Sequence, residues 1–257
     1  MFINNFDPVA FSLFSLEIRW YSLAYIFGIV FGWIYCKKIL IKENKIGQEF
    51  DDLVSYIIIG IILGGRVGYV LFYNIGYYSE NLIEVFYLWK GGMSFHGGVI
   101  GVFLAIFFYT KSIKKNFFIF TDLVAAVSPI GIFLGRIANY INSELYGKVT
   151  DLPWSVIFVK VDTLKRHPSQ IYEALFEGLI LFIILNYLIY KRKLLKVHGM
   201  ISAIFLILYS SSRFFIEFFR QPDLQIGYLF FNLTMGQVLS IILLIFGFYI
   251  YLKKNVR

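Results

Sequence analysis

Seven long apolar runs limit what this chain can fold into. As a helix, about 20 consecutive apolar residues cross the hydrocarbon of a bilayer, and roughly 17 suffice. Charged residues make up only 16% of the 257-residue chain, against about 25% in a typical soluble domain. The sequence therefore predicts one all-α integral membrane domain over residues 1–257, a bundle of about seven transmembrane helices. The predicted spans cover residues 20–36, 53–73, 93–109, 123–141, 171–190, 200–219 and 235–252.

The distribution of basic residues between these runs predicts the orientation of the chain. Fourteen of the 24 Lys and Arg residues lie in three alternate loops and the C-terminal tail, and seven lie in the other connections. Because positive residues favour the cytoplasmic side, the tail and the three basic loops are expected to face the cytoplasm, with the N-terminus outside. The basic residues are not gathered on one polar segment, so no nucleic-acid partner is expected.

Other sequence features exclude several kinds of site. Cys36 is the only cysteine, so the chain can form no internal disulfide and no zinc site built from cysteines. There is no Walker-type loop, no G-x-S-x-G motif and no metal-ligand spacing, so neither a cofactor nor a metal is expected. Four G-x-x-x-G pairs predict close helix packing. The only long connection, the outer loop 142–170, contains Val-Ile-Phe-Val at 156–159, which indicates a short strand or a reentrant piece.

Three arginines remain inside the predicted spans: Arg66, Arg136 and Arg213. A charged group at the centre of a span costs roughly 2.5 to 3.5 kcal/mol on insertion scales, so such a residue is by default a functional hypothesis. The alternative is a structural ion pair, or a long side chain that reaches the interface. The predicted orientation places all three arginines in the outer leaflet, where five segments carry polar groups. We expect a site there.

The spacing of these polar residues indicates an anion site. Arg136 and Asn139 are three apart, and Arg213, Glu217 and Arg220 follow i, i+4, i+7, so each set lies on one helix face. Glu217 can hold one arginine and leave another free, and the guanidinium fork matches a phosphate. An outer-leaflet arginine pocket in an apolar wall predicts binding of a phospholipid head group. A transporter or channel, or a receptor or lipid-binding scaffold without turnover, remains an alternative.

His96 adds a group that can accept a proton at neutral pH. It lies in a glycine-rich stretch, Gly-Gly-Met-Ser-Phe-His-Gly-Gly at 91–98, where a backbone or a ligand can approach closely. By itself, a histidine at the end of a span more often has a structural role.

Five ordered segments carry a resemblance to a known family. They are GGRVGYVLFYN (64–74), GGMSFHGGVIG (91–101), GRIANYINSELYG (135–147), RHPSQIYEALFEG (166–178) and RFFIEFFRQPD (213–223). IRWYSLAYIFG (18–28) and MGQVLSI (235–241) fit the same pattern. Together they closely resemble the bacterial phosphatidylglycerol–prolipoprotein diacylglyceryl transferase family, through all seven apolar runs.

The resemblance implies a transferase of the bacterial inner membrane that takes part in lipoprotein biosynthesis. Such an enzyme moves the diacylglyceryl group of phosphatidylglycerol to the lipobox cysteine of a prolipoprotein. It forms a thioether, releases glycerol phosphate, and is expected to act as a monomer. The outer loop looks shorter than in longer family members, where it builds a head domain, and this leaves recognition of the prolipoprotein open.

The resemblance also implies roles for individual residues. Arg136 matches the family's phosphatidylglycerol-binding arginine, His96 its essential histidine and Arg213 a second essential arginine. His96 is then the expected base for the thiol. Tyr21 is expected to donate a hydrogen bond at the lipid interface, with a place in the aromatic belt as the alternative. The expected lipid-binding set, in which Arg66 is included for its depth, is Arg66, Arg136, Asn139, Glu144, Gly147, Arg213 and Glu217.

Overall fold

The computed structural model describes residues 2–14, 16–222 and 227–255, and most of them are helical. Asp223 and Arg257, which the sequence analysis used, lie outside the described residues. The helices are Trp20–Tyr35 (α1), Asn44–Tyr73 (α2), Ile75–Glu80 (α3), Phe95–Ser112 (α4), Phe117–Asn142 (α5), Ser169–Glu173 (α6), Leu181–Arg192 (α7), Met200–Ile216 (α8) and Met235–Asn255 (α9). π-helical turns at Cys36–Leu40 and Ala174–Ile180 extend α1 and join α6 to α7. Short 3₁₀ turns cover Leu82–Phe86, Leu88–Lys90, Leu194–Lys196 and Phe230–Asn232.

Every predicted span overlaps helical structure, and the span 171–190 runs through α6, the π-helical turn and α7. Within the described residues, five segments are long and apolar enough to cross a membrane, and α8 is apolar but shorter. Large apolar side chains such as Phe27, Ile59 and Ile245 are more than half exposed on them, as expected where lipid tails are the solvent. The prediction of an all-α membrane protein is confirmed. The five segments are Trp20–Leu40, Asn44–Tyr73, Phe117–Asn142, Ser169–Arg192 and Met235–Lys254.

Short strands add two small sheets to the helices. The strands are Phe2–Asn4 (β1), Val9–Leu13 (β2), Leu16–Arg19 (β3), Val156–Phe158 (β4) and Lys165–Arg166 (β5). β1 pairs in parallel with β4, which pairs antiparallel with β5, and β2 and β3 form a hairpin. β4 is the strand predicted in the outer loop, whereas the N-terminal strands were not predicted. Buried Asn4 donates to the carbonyl of Tyr140 at 2.7 Å and so ties β1 to the end of α5.

The chain forms two compact units. One is Cys36–Thr121, and the other combines the residues before it with those after it. Inside Cys36–Thr121, α2 and α4 approach backbone to backbone: a Cβ added to Gly64 would lie 2.8 Å from the Cα of Gly101 and even closer to the Gly97 carbonyl. The glycine spacing on these two helices is therefore needed for packing, as the sequence indicated.

In the other unit, glycine contacts and one buried carboxylate fix the helices. A Cβ on Gly28 of α1 would lie 3.1 Å from the Cα of Gly131 on α5. Asp122 of α5 accepts hydrogen bonds from the backbone N–H groups of Gly199 (2.6 Å) and Ser202 (2.8 Å), and from the Ser202 hydroxyl at 2.6 Å. These are donors at the start of α8 that its own turns leave unsatisfied. Asp122 therefore fixes α8 against α5.

Candidate functional site

Three helical segments bring six charged side chains together in one unit. Arg136 comes from the last two turns of α5, and the two glutamates that contact it come from α6 and the π-helical segment that follows. Arg213 lies in the last turn of α8. We call this set the arginine–glutamate cluster; its members are Arg136, Glu173, Glu177, Arg213, Glu217 and Arg220.

Glu173 and Glu177 lie between Arg136 and Arg213, the two arginines of the cluster that come from predicted spans. Glu173 pairs with Nε of Arg136 at 3.1 Å and forms a close, hydrogen-bonded ion pair with Nη1 of Arg213. Glu177 contacts Nη2 of Arg136 at 3.4 Å and Nη1 of Arg213 at 3.5 Å. Both glutamate side chains are fully buried. Each carboxylate therefore connects α5 to α8.

Glu217 continues the network at the end of α8. Its Oε2 lies 2.8 Å from Nη2 of Arg213 and 3.6 Å from Nη1 of Arg220, and Oε1 accepts from the Thr234 hydroxyl at 3.0 Å. A Cβ on Gly236 would lie 2.8 Å from this carboxylate. Because Gly236 has no side chain, the carboxylate can pack against the start of α9. With three arginines and three glutamates the cluster is formally neutral. This balance allows charges to persist in an apolar wall, since buried charges need partners.

Arg136 differs from Arg213 in having an open donor. Its Nε and Nη2 are taken by the buried glutamates, and within the described residues its Nη1 contacts no hydrogen-bond or ion-pair partner. The Arg136 side chain is 16% exposed, against 9% for Arg213. The cluster therefore presents a fixed guanidinium with free N–H groups, which suits one oxygen of a phosphate.

The turn after α5 involves further residues of the predicted lipid-binding set. Asn139 donates to Oε2 of Glu144 at 3.2 Å, and Asn142 donates to Oε1 at 3.4 Å. The backbone N–H of Glu144 donates to the carbonyl of Asn139 at 2.9 Å, and Gln170 donates to the Glu144 carbonyl at 2.6 Å. These bonds give the C-terminal end of α5 a fixed shape.

Gly147 lies where two other segments meet. Its N–H donates to the His167 carbonyl at 3.0 Å, and it forms an antiparallel bridge with Arg220. A Cβ here would lie 2.9 Å from the Phe219 carbonyl oxygen and still closer to His167. Only glycine permits this crossing, which joins the outer loop to the end of α8.

The outer loop beside Gly147 is held by an arginine. Arg166 donates to both carboxylate oxygens of Asp162, at 2.5 Å from Nη2 to Oδ2, and to the Gly147 carbonyl at 3.2 Å. These hydrogen bonds lower the pKa of Asp162. Partial burial, reinforced by the charge of Lys148, lowers the pKa of His167. Arg166 therefore serves the loop structure.

In the unit Cys36–Thr121, all three guanidinium nitrogens of Arg66 donate hydrogen bonds to backbone carbonyls. It donates to the carbonyls of Val85 (2.7 Å) and Glu84 (2.6 Å), and through Nη1 to those of Gly91 (2.6 Å) and Gly92 (3.3 Å). The side chain is buried, 3% exposed. These contacts support a role in shaping the turn before α4. The predicted contact between Arg66 and lipid stays a prediction.

His96 lies in the first turn of α4 and is exposed. The start of this helix is fixed by Ser94, whose hydroxyl accepts from the Gly97 N–H at 3.2 Å. The predicted approach of His96 to the arginines stays a prediction. Tyr21 lies in the first turn of α1, half-buried, with its ring 5.1 Å from that of Tyr25.

The sequence analysis missed three residues of this site. Glu173 and Glu177 are four residues apart within an apolar run, and this spacing is a detectable signal. The sequence analysis considered only the basic residues inside the spans. Tyr209, one turn before Arg213 on α8, lies within electrostatic range of both arginines and both glutamates. Within the described residues, no three His, Cys, Asp or Glu side chains are placed to hold a metal ion.

Comparisons with known proteins give a consistent result. The family model for prolipoprotein diacylglyceryl transferase matches residues 8–253. A phosphatidylglycerol–prolipoprotein diacylglyceryl transferase of Rickettsia bellii (strain OSU 85-389) is 50% identical over 259 residues, covering 100% of this chain and 98% of the relative. Proteins of the same name from Rickettsia felis and Rickettsia typhi are 48% identical over 257 residues, covering 99% of each chain.

Proposed function

The chain belongs to the prolipoprotein diacylglyceryl transferase family, and we propose that it transfers the diacylglyceryl group of phosphatidylglycerol to the lipobox cysteine of a prolipoprotein. The observation that carries this proposal is the arginine–glutamate cluster, in which the carboxylates take Nε and Nη2 of Arg136 and leave Nη1 open. A lipid phosphodiester provides the anion for that donor, and its acyl chains can remain in the bilayer. No cofactor or metal takes part.

The reaction exchanges one carbon–oxygen bond for one carbon–sulfur bond. The cysteine thiol loses its proton, and the thiolate sulfur attacks the glyceryl carbon that bears the phosphate. The bond between this carbon and the phosphate oxygen breaks, and its electron pair leaves on the phosphate of glycerol phosphate. His96 accepts the thiol proton, a role that typically contributes about 10² to 10⁴-fold.

Arg136 and Arg213 act on the leaving group. As the carbon–oxygen bond breaks, negative charge grows on the phosphate, and N–H donors already fixed in an apolar site stabilise it without reorganisation. Glu173 and Glu177 are positioning residues, because they hold both guanidiniums in place before lipid arrives. Neutrality of the cluster also means that an unoccupied site does not trap stray anions.

The remaining residues of the predicted site have supporting roles. Asn139 and Glu144 form the outer rim, whose backbone and side-chain bonds fix the end of α5. Gly147 joins that rim to α8. Glu217 orients Arg213, and Tyr21 donates a hydrogen bond at the lipid interface.

The enzyme acts as a monomer in the bacterial inner membrane, with its N-terminus outside and its C-terminus in the cytoplasm. The excess of basic residues in the loops after α1, α4 and α7 supports this orientation. The cluster then faces the outer leaflet, where lipobox cysteines emerge after export.

The test is transfer of label from lipid to peptide. Purified protein in mixed micelles receives phosphatidylglycerol with labelled acyl chains and a lipobox peptide, with a Cys→Ser peptide as control. We expect label on the cysteine peptide alone, together with stoichiometric glycerol phosphate. Solute flux in proteoliposomes without any lipid conversion would instead establish the transporter alternative, and lipid binding without turnover would establish a scaffold.

A further inference from the structure

A polar cavity adjoins the arginine–glutamate cluster at Glu217. Its volume is about 400 Å³, within the range of about 300 to 1,000 Å³ found for small-molecule sites. Six of the seven residues that line it carry a polar group on the side chain. The cavity is lined by Lys148, Glu217, Phe218, Tyr228, Asn232, Thr234 and Gln237.

Thr234 and Gln237 form a reciprocal cap at the start of α9. The Thr234 N–H donates to Oε1 of Gln237 at 3.0 Å, and the Gln237 N–H donates to the Thr234 hydroxyl oxygen at 3.3 Å. This is the capping-box arrangement, which satisfies two backbone donors of a helix N-terminus. The cap uses only the carbonyl oxygen of the Gln237 amide.

The amide nitrogen of Gln237 therefore stands as an unused double donor at the cavity. The residue is 2% exposed, and its Nε2 makes no hydrogen bond with any residue that the structure describes. The Nε2 atom is not among the fully buried side-chain atoms that lack a partner, so it is open to the cavity and can donate to a molecule bound there. Such a group points to a ligand with hydroxyl oxygens that accept from it.

Lys148 adds positive charge to the lining of the cavity. Lys148 is held in place by its backbone N–H, which donates to the Phe219 carbonyl at 2.8 Å, and its Nζ lies 5.8 Å from the centre of the Tyr228 ring. The cavity thus combines an ammonium group, amide donors and the Glu217 carboxylate. This set of groups suits a small polyol attached to a phosphate.

We propose that this cavity receives the terminal glycerol of phosphatidylglycerol, and that Gln237 determines specificity for that head group. The inference rests on the proposed function and names the subsite next to its phosphate. One ester arm of the phosphate carries the diacylglyceryl group, and the other carries the terminal glycerol. With the phosphate on the arginines, Glu217 borders both the cluster and the cavity, so the glycerol arm enters directly.

The test compares two lipids that differ only in the head-group hydroxyls. Phosphatidylpropanol has the same phosphate, charge and acyl chains as phosphatidylglycerol but lacks both hydroxyls. A site that hydrogen-bonds a substrate hydroxyl discriminates against an analogue without it, so the wild type should prefer phosphatidylglycerol in kcat/KM by about tenfold or more. Gln237→Met should lose most of that preference, through a lower kcat/KM for phosphatidylglycerol alone.

Ser240→Ala is the matched control. Ser240 lies one turn further along α9, where its hydroxyl donates to the Gly236 carbonyl, and it does not line the cavity. This variant should keep the wild-type ratio. If Gln237→Met is inactive with both lipids, the ratio is read on Gln237→Asn, which withdraws the amide by one carbon and should also lower it.

Two results would overturn the proposal while leaving the proposed function intact. One is a wild-type enzyme that uses both lipids equally well. The other is a Gln237 variant that keeps the full preference for phosphatidylglycerol. If the wild type transfers label from neither lipid, the proposed function fails, and the subsite fails with it.

Discussion

At the scale of single residues, the two arginines that face each other across the buried glutamates are not equivalent. Arg213 has carboxylates on both terminal nitrogens, whereas Arg136 keeps Nη1 open. Arg213 is therefore the more firmly held, and Arg136 is the residue whose fork has a vacant arm for substrate. The contact of arginine with substrate and the contacts of arginine with the buried carboxylates can therefore be tested by separate substitutions.

Replacing Arg136 with lysine should reduce kcat/KM by about 10² to 10³-fold, the cost typical of losing one preorganised donor to a developing anion. A single ammonium cannot contact Glu173, Glu177 and a phosphate with the geometry of the fork. Label-transfer kinetics with phosphatidylglycerol provide the measurement. Arg19→Lys is the matched control, since the Arg19 side chain is exposed. A lysine variant with near-normal turnover would contradict the assigned role of Arg136.

Replacing His96 with asparagine should lower kcat by about 10² to 10⁴-fold throughout the pH–rate profile. Asparagine keeps a polar side chain but cannot take the thiol proton. The profile is measured from about pH 6 to 9 with a lipobox peptide, because a general base must lose its proton to act. Retention of most activity over that range would reduce His96 to a positioning residue.

The two buried glutamates should differ in their effect on stability. Glu173→Gln leaves both arginines without their nearest buried partner, which typically costs roughly 3 to 5 kcal/mol. Glu177 lies farther from both guanidiniums, at 3.4 and 3.5 Å. Glu177→Gln should therefore lower the thermal unfolding midpoint in detergent by a smaller amount. Equal midpoints for the two variants would argue against Glu173 as the central carboxylate.

At the scale of elements, the position of α8 depends on a contact far along the helix from Arg213. Asp122 of α5 caps the start of α8 with three hydrogen bonds. Asp122→Ala removes the acceptor of these three bonds from a buried position, and a buried donor that loses its partner costs about 1 to 3 kcal/mol. We expect a lower thermal midpoint in detergent, with the residual folded protein still active. Asp122→Asn, which keeps one acceptor, should fall between alanine and wild type.

The contact between α2 and α4 leads to a second prediction at this scale. A methyl group at Gly64 would collide with the backbone at Gly97 and Gly101, so Gly64→Ala should lower the unfolding midpoint. Gly76→Ala is the control, because its added methyl would meet open space. Thermal unfolding of the two variants, measured side by side, gives the comparison. An unchanged midpoint for Gly64→Ala would mean that these helices can separate without cost.

The same elements show what the sequence could and could not reveal. The length of each apolar run predicts a helix, because in lipid the backbone N–H and C=O groups must form hydrogen bonds with one another. The helix ends are less well predicted: α2 begins at Asn44 rather than at residue 53. Its polar first turns are supported by tertiary ion pairs, among them Glu49 with Lys115 at 3.5 Å and Asp51 with Lys37. Such partners are far apart in sequence, as are β1 and β4.

The candidate site could be predicted from the sequence only in part, because some of its residues are also far apart in sequence. Arg136, Arg213 and Glu217 are found by asking which charges lie inside spans and which share a helix face. Applying that question to acids would also have found Glu173 and Glu177. The glycerol subsite could not be found in this way, because Lys148 and Gln237 meet only after the outer loop and the start of α9 have folded together.

At the scale of the whole molecule, the charges of the cluster satisfy two opposing requirements. A membrane enzyme needs cations to hold a lipid phosphate, but uncompensated cations are costly in an apolar wall. The chain meets both needs by pairing each arginine of the cluster with carboxylates and leaving one arm of Arg136 available. The loop 142–170 adds rigidity through Arg166 and Gly147.

The most direct test of this account follows one oxygen atom. Phosphatidylglycerol is prepared with ¹⁸O at the bridge between the diacylglyceryl carbon and phosphorus, and is reacted with the enzyme and a lipobox peptide. Mass spectrometry then locates the label among the products. The account predicts that all ¹⁸O leaves with glycerol phosphate, because sulfur attacks carbon and the arginines take the departing phosphate. Recovery of ¹⁸O in free diacylglycerol would show cleavage at phosphorus and contradict it.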